Sequence, residues 1–236
     1  MTKKSYSRVE CFKQCPYKYK LKYVDEIKTL PNYDADNALH IGTMLHKAIE
    51  TDVDTAIKEY YDIFPLITDA HINETMKIEA LAPKVKWLLP DGQNEVELNC
   101  EDFIGFIDLL AGDSLYDFKY SNNIDRYLES GQLHVYKYYA EKLLGVKIKY
   151  LYYVFVPKVA IRQKKTETIE QFRQRLRSEL SEKQPKLICV EFDQTKVDEF
   201  LAVDLDVNEF PKCESKLCSW CEYEGFCKRG ETHDII

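Results

Sequence analysis

The chain has 236 residues, 45% hydrophobic and 31% charged, enough to bury a substantial core as one domain with insertions. A net charge of −7 excludes nucleic-acid binding through bulk positive charge, so contact with a polyanion must rest on local basic patches or bound cations. No apolar run approaches a bilayer-spanning length and no signal segment is visible, so the chain reads as cytoplasmic, without membrane contact.

Residues 5–27 open on a helix with Ser7 as N-cap and Glu10 three residues later. Pro16 restarts a segment in which Lys18, Lys20 and Lys22 interleave with Tyr17, Tyr19 and Tyr23. That pattern suits stacking and phosphate contact with single-stranded DNA; an amphipathic helix with snorkelling lysines explains it as well. Residues 28–37 are a loop. Over 38–60, Leu39, Ile41, Leu45, Ala48, Ile49, Val53 and Ala56 form one helical stripe with His46 at its edge. One or two further helices fill 62–90, stopped at Pro90-Asp91-Gly92.

Strands follow. Residues 95–99 alternate, 103–111 (FIGFIDLLA) are strand-like, Gly112-Asp113-Ser114 is a hairpin turn, and 115–119 form the return strand. Helical spacing resumes over 127–144 and stops at Gly145. Residues 148–156 (IKYLYYVFV) are a buried strand closed by Pro157. A charged helical stretch (158–186) carries Arg162, Lys164, Lys165, Arg173, Arg175 and Arg177, either a basic guide for a DNA strand or a solvated helix face. A last strand at 187–192 precedes a short helix to about Leu205 and a cysteine-rich tail. Helices first, then hairpin strands, helix and strand imply an α/β sandwich with a small mixed sheet. Most of the seventeen tyrosines read as core or half-buried surface.

Asp117 and Lys119 share one face of their strand, because strand side chains alternate with period two. The hairpin lets Asp108 lie across from them. Asp108 interrupts an apolar run, where an unpaired charge is costly. Two carboxylates so close repel until a proton or a hard divalent ion such as Mg²⁺ intervenes. Such an ion activates water and stabilises charge on a phosphate, and Lys119 is placed to orient that water or neutralise the developing oxyanion. Glu95 and Glu97 precede the Asp108 strand and either approach this site or are solvated strand residues.

Cys218 and Cys221 form a C-x2-C pair with Cys227 close behind. Three clustered thiolates suit zinc or an iron–sulfur cluster, and His233 is the donor a Cys₃His zinc site would use. Cys11 and Cys213 are alternative ligands, while Cys100 and Cys189 read as small buried hydrophobes.

The ordered set Gly42–His46 (GTMLH), Gly105–Asp108 (GFID), Asp117–Lys119 (DFK) and Gln132–Tyr136 (QLHVY), with Ser5-Tyr6-Ser7 and Phe12–Pro16 ahead of it, resembles the RecB-like branch of the PD-(D/E)xK nucleases over nearly the whole chain. The resemblance implies a restriction-endonuclease-like α/β core, a small mixed sheet flanked by helices, with helical insertions and a C-terminal iron–sulfur segment. It implies one nuclease domain over 1–236, with its core at 38–157, a charged helical insertion at 158–186, and 1–30 and 206–236 together around the cluster. Position by position, it implies Mg²⁺ or Mn²⁺ held by His46, Asp108, Asp117 and the Phe118 backbone carbonyl. Lys119 is then the catalytic lysine, and Gln132 and Tyr136, one helical turn apart, steady it or contact a phosphate. It also implies a [4Fe–4S] cluster on Cys15, Cys218, Cys221 and Cys227. The layout is similar to CRISPR-associated RecB-like exonucleases and their phage relatives. It implies a DNA exonuclease for single-stranded ends, serving CRISPR adaptation with an integrase, or phage recombination or replication. A non-catalytic iron–sulfur DNA-binding subunit is the alternative. No P-loop is present, so the chain carries no helicase.

Overall fold

The computed structural model describes residues 2–229. In chain order its elements are α1 (Tyr6–Gln14), α2 (Pro16–Tyr19), a π-helical turn (Lys20–Val24), α3 (Ala38–Glu50), α4 (Val53–Asp62), α5 (Asp69–Leu88), β1 (Gln93–Asn99), β2 (Ile104–Ala111), β3 (Ser114–Tyr120), α6 (Asp125–Leu128), α7 (Gln132–Leu144), β4 (Tyr150–Val156), α8 (Ile169–Glu182), β5 (Lys186–Val190), α9 (Gln194–Leu201), a 3₁₀ turn (Lys216–Trp220) and α10 (Glu224–Arg229). Among the described residues, no helix is long and apolar enough to cross a membrane. The chain divides into two compact units. One gathers the residues up to 31, 99–105 and 198 onward; the other comprises 32–98 and 106–197.

The larger unit is built on a five-stranded sheet of order β1-β2-β3-β4-β5. The pairs β2–β3 and β4–β5 are antiparallel and β3–β4 is parallel, so the sheet is mixed. Gly112 turns the β2–β3 hairpin at φ +58°, a left-handed conformation that costs glycine little. Leu109, Ala111, Tyr116 and Phe118 bury their side chains against α3, α4, α5 and α8, around Leu45, Ala48, Ile78, Leu81, Val85 and Leu176. Both α3 and α7 pack on β3. They bring His46 and Gln132 to the same strand.

In the smaller unit, Tyr17, Leu21 and Tyr223 form a separate apolar cluster with Ile27, Cys15, Cys221 and Cys227 against it. Phe200 stacks on Tyr6 and meets Phe103 edge-on. Lys4 joins this group through a parallel bridge to Phe103.

Several local expectations are corrected. The cap of α1 is Ser5, whose Oγ accepts the Arg8 N–H at 3.2 Å; Ser7 lies inside the helix. The stripe over 38–60 is broken after Glu50, because Asp52 caps a new helix by accepting the Thr55 N–H at 2.8 Å. The expectation of one or two helices over 62–90 holds: one helix, α5, covers most of that range and carries Pro83 within it. Helical spacing over 127–144 resolves into the short α6 and the longer α7, which ends at Gly145 with φ +66°. Only Ile169–Glu182 of the charged stretch 158–186 is helical, started by a Thr168–Gln171 capping box. Cys189 is exposed on β5, and Cys100 is half-buried with its thiol donating to Asp102 Oδ1 at 2.9 Å; neither is a core side chain.

Candidate active site

The β2–β3 register runs from Ala111↔Ser114 to Leu109↔Tyr116 and stops short of the two carboxylates. Beyond it, the Phe118 N–H donates to Asp108 Oδ2 at 2.6 Å instead of to a neighbouring backbone carbonyl. The Asp108 side chain thus fills the place of a ladder bond, and its second oxygen faces His46 Nδ1 at 3.2 Å. The other ring nitrogen, Nε2, lies 3.1 Å from the Phe118 carbonyl. His46 therefore bridges two oxygens that the family resemblance assigns to a cation.

Asp117 is buried, and its Oδ2 pairs with Lys119 Nζ at 2.6 Å. Lys119 also donates to Gln132 Oε1 at 3.1 Å, and Gln132 Nε2 in turn donates to the Tyr136 hydroxyl at 3.3 Å. The structure thus brings together His46, Asp108, Asp117, the Phe118 carbonyl, Lys119, Gln132 and Tyr136. Two residues join them. Glu95 on β1, left open between site and solvent by the sequence, places a carboxylate oxygen with His46 and Asp108 ligand atoms, all within 4.8 Å of one another. It does so at φ +49°, a strained conformation for a residue other than glycine. Tyr127, which no sequence pattern singled out, sets its ring 5.5 Å from Lys119 Nζ. An aromatic residue between the D-x-K strand and the Gln132 helix was the signal available for it.

Burial disfavours a charged His46, but Asp108 and then Asp117 outweigh it and push its pKa up to about 9. Burial raises the Asp117 carboxyl; Lys119 opposes this and Asp108 reinforces it. Burial alone would lower Lys119, yet Asp117 holds it charged. The two partners pull in opposite senses, and the 2.6 Å contact favours the ion pair. The rise at Asp117 reflects the cost of a second buried carboxylate beside Asp108. Burial and Asp108 together also raise Glu95.

A nitrogen donor and clustered carboxylates fit a divalent cation. For His46 to ligate, its proton must leave. At pH 7, Mn²⁺ binding should therefore release about one proton, and apparent affinity should rise about tenfold per pH unit below pH 9. Calorimetry in buffers of different ionisation enthalpy measures this release, and His46→Gln should abolish it. In the metal-free protein, the stability His46 contributes is full below its ordinary value of 6.5 and is lost as pH rises through about 9.

The basic candidates fare differently. Arg173 pairs with Asp69 at 2.7 Å, and Arg175 with Glu167 at 2.8 Å, so both serve the fold. Arg162, Lys164, Lys165 and Arg177 are exposed. In the smaller unit, Lys18 and Lys22 face Glu222 at 3.7 and 3.0 Å, Lys20 pairs with Asp25 at 2.6 Å, and Tyr17 and Tyr19 are buried. This segment is a packed amphipathic element and lacks the exposed rings of a stacking platform.

The same unit holds a cavity of about 560 Å³ lined by Cys15, Cys213, Cys218, Cys221 and Cys227. Cys15 Sγ accepts the Lys18 N–H at 3.4 Å and Cys218 Sγ the Ser215 N–H at 3.4 Å. Cys11 is not among the lining residues. Among the described residues, no three cysteine sulfurs gather within 4.8 Å. His233 lies outside the described residues.

No curated protein matches the chain. The family model for the PD-(D/E)XK nuclease superfamily matches residues 3–228, a span that includes every residue of the carboxylate–lysine site. With a mixed sheet that opens at its paired carboxylates and a match covering nearly its full length, the chain belongs to the PD-(D/E)XK nuclease superfamily, and nuclease activity on nucleic acid comes with that membership.

Proposed function

We propose that this nuclease is a Mg²⁺- or Mn²⁺-dependent DNA exonuclease of the RecB-like iron–sulfur branch, acting on single-stranded ends. The observation that carries the hydrolytic reading is the junction of His46, Asp108, Asp117 and Lys119 at the point where β2 and β3 stop pairing. His46, Asp108, Asp117 and the Phe118 carbonyl hold the cation, with Glu95 beside them. When bound, that cation supplies an activated water and neutralises charge on the scissile phosphate. Lys119 stabilises the oxyanion as the P–O bond breaks, and its ammonium is aimed by Gln132, itself held by Tyr136. The preference for single-stranded ends rests on the likeness of the Gly105–Asp108, Asp117–Lys119 and Gln132–Tyr136 motifs to RecB-like exonucleases.

For the smaller unit we propose a [4Fe–4S] cluster on Cys15, Cys218, Cys221 and Cys227. The cysteine-lined cavity supports it. The lining thiols are soft ligands that suit zinc or an iron–sulfur cluster, and the likeness to the iron–sulfur branch selects the cluster. Cys213 lines the same cavity and is the reserve ligand. The process served is the handling of DNA ends, in phage recombination or replication or in CRISPR adaptation beside an integrase.

The test is end-labelled DNA, single- and double-stranded, with each end blocked in turn. Wild-type protein should shorten single strands with Mn²⁺ and not with EDTA, and blocking one end should stop it. Protein that binds DNA but leaves every label intact in Mn²⁺ overturns the reading and leaves a non-catalytic DNA-binding subunit.

A further inference from the structure

We propose that Tyr127 is a positioning residue that confines the Lys119 ammonium to its working place, a role that rests on Lys119 being the catalytic lysine. A lysine ammonium has three N–H donors on a flexible four-carbon stem. Gln132 Oε1 accepts one of them at 3.1 Å, and Asp117 Oδ2 forms an ion pair with the same nitrogen at 2.6 Å. The Tyr127 ring stands over the same nitrogen, its centroid 5.5 Å away, where its electron-rich face attracts the charge.

The ring is itself held. It packs on Tyr153 at 6.2 Å and on Phe155 at 5.8 Å between centroids. Those two residues stand directly across from Asp117 and Lys119 in the parallel β3–β4 register. Ion pair and aromatic wall are therefore one packed group. A short chain of bonds links the ring to the other Lys119 partner. The Tyr127 carbonyl accepts the Ser130 N–H at 3.0 Å, and Ser130 Oγ accepts the Gln132 N–H at 3.3 Å. The segment after β3 thus makes two separate contacts to one ammonium, the ring from α6 and the amide from the start of α7. With the ring gone, the lysine stem gains rotamers leading towards solvent, and the population poised at the phosphate falls.

The geometry assigns the effect to turnover. With saturating Mn²⁺ and end-labelled DNA, Tyr127→Leu should lower kcat by about 5- to 30-fold. KM for DNA and Mn²⁺ affinity by direct titration should stay within about twofold of wild type. Tyr127→Phe keeps the ring face and should restore kcat to within about twofold. A kcat in Tyr127→Leu close to wild type, or a change confined to KM, overturns the role. A readout independent of that variant's folding comes from NMR of the wild-type protein. The Lys119 methylene protons next to Nζ should be shifted upfield by the ring, and ordinary positions for them overturn the proposal. Asp117→Asn in the same assay separates the two ideas. If it hydrolyses DNA like wild type, the catalytic reading is at fault and the role of Tyr127 falls with it, whereas an inactive Asp117→Asn beside a Tyr127→Leu of wild-type kcat overturns the role of Tyr127 alone.

Discussion

Lys119→Ala should slow DNA hydrolysis by about 10³- to 10⁴-fold at saturating Mn²⁺, because on the proposed reading it removes the ammonium that meets the developing negative charge in a buried site. The same change should leave Mn²⁺ affinity intact or slightly stronger, since a positive charge 2.6 Å from Asp117 disappears. The metal-free variant should be less stable, as breaking one half of a buried ion pair costs about 3–5 kcal/mol before relaxation. Part of that cost is offset, because burial and Asp108 already raise the Asp117 carboxyl, and without Lys119 to oppose them it takes up a proton more readily. The expected signature is therefore specific: near-zero turnover, retained cation binding, and a lower melting temperature that added Mn²⁺ largely restores. End-labelled DNA, Mn²⁺ titration and thermal melts measure the three parts. Hydrolysis at the wild-type rate would mean that this cluster is not the active site.

Cys221→Ser should bleach the protein. Purified without oxygen, the wild type should be brown, and the variant colourless with most of its iron lost. A second consequence follows from chain connectivity. Cys15 and Cys218 lie at opposite ends of the sequence, so a cluster joining them closes a loop of nearly the whole chain. Loop-closure entropy for a crosslink of that span is on the order of 5 kcal/mol as an upper bound. Loss of the cluster should therefore lower the melting temperature by up to about 10–20 °C. Iron analysis and melts in parallel separate the effects. Cys213→Ser should keep colour, since Cys213 stands outside the four ligands although it lines the same cavity. A colourless wild type holding stoichiometric zinc would overturn the assignment.

Much of the active site is legible because its residues obey short-range rules. Asp117 and Lys119 share a face through strand alternation, and they pair at 2.6 Å. Asp108 stands out as a charge in an apolar strand, and it accepts a backbone N–H where a ladder bond would fall. Gln132 and Tyr136 are one helical turn apart and bond as that spacing predicts. Helix boundaries are less legible. The apolar stripe of α3 continues in phase into α4, so periodicity hides the break that the Asp52 cap creates. Serines at 5 and 7 are equivalent as sequence, and only the position of the Arg8 N–H selects Ser5.

By itself the sequence determined the candidates: Asp117 and Lys119 through strand alternation, Asp108 as a charge in an apolar run, and Cys218, Cys221 and Cys227 as a compact trio, with Cys15 added only by the family resemblance. The tertiary structure alone decided what distant segments add or cancel. Glu222, near the other end of the chain, faces Lys18 and Lys22 and pairs with both. Glu95 reaches His46 and Asp108 from another strand, and Tyr127 reaches Lys119 from the short helix α6. The physical reason is common to all three. Alternation and helical pitch govern residues a few positions apart, whereas a charge or a ring from elsewhere acts through space, at distances no local pattern encodes.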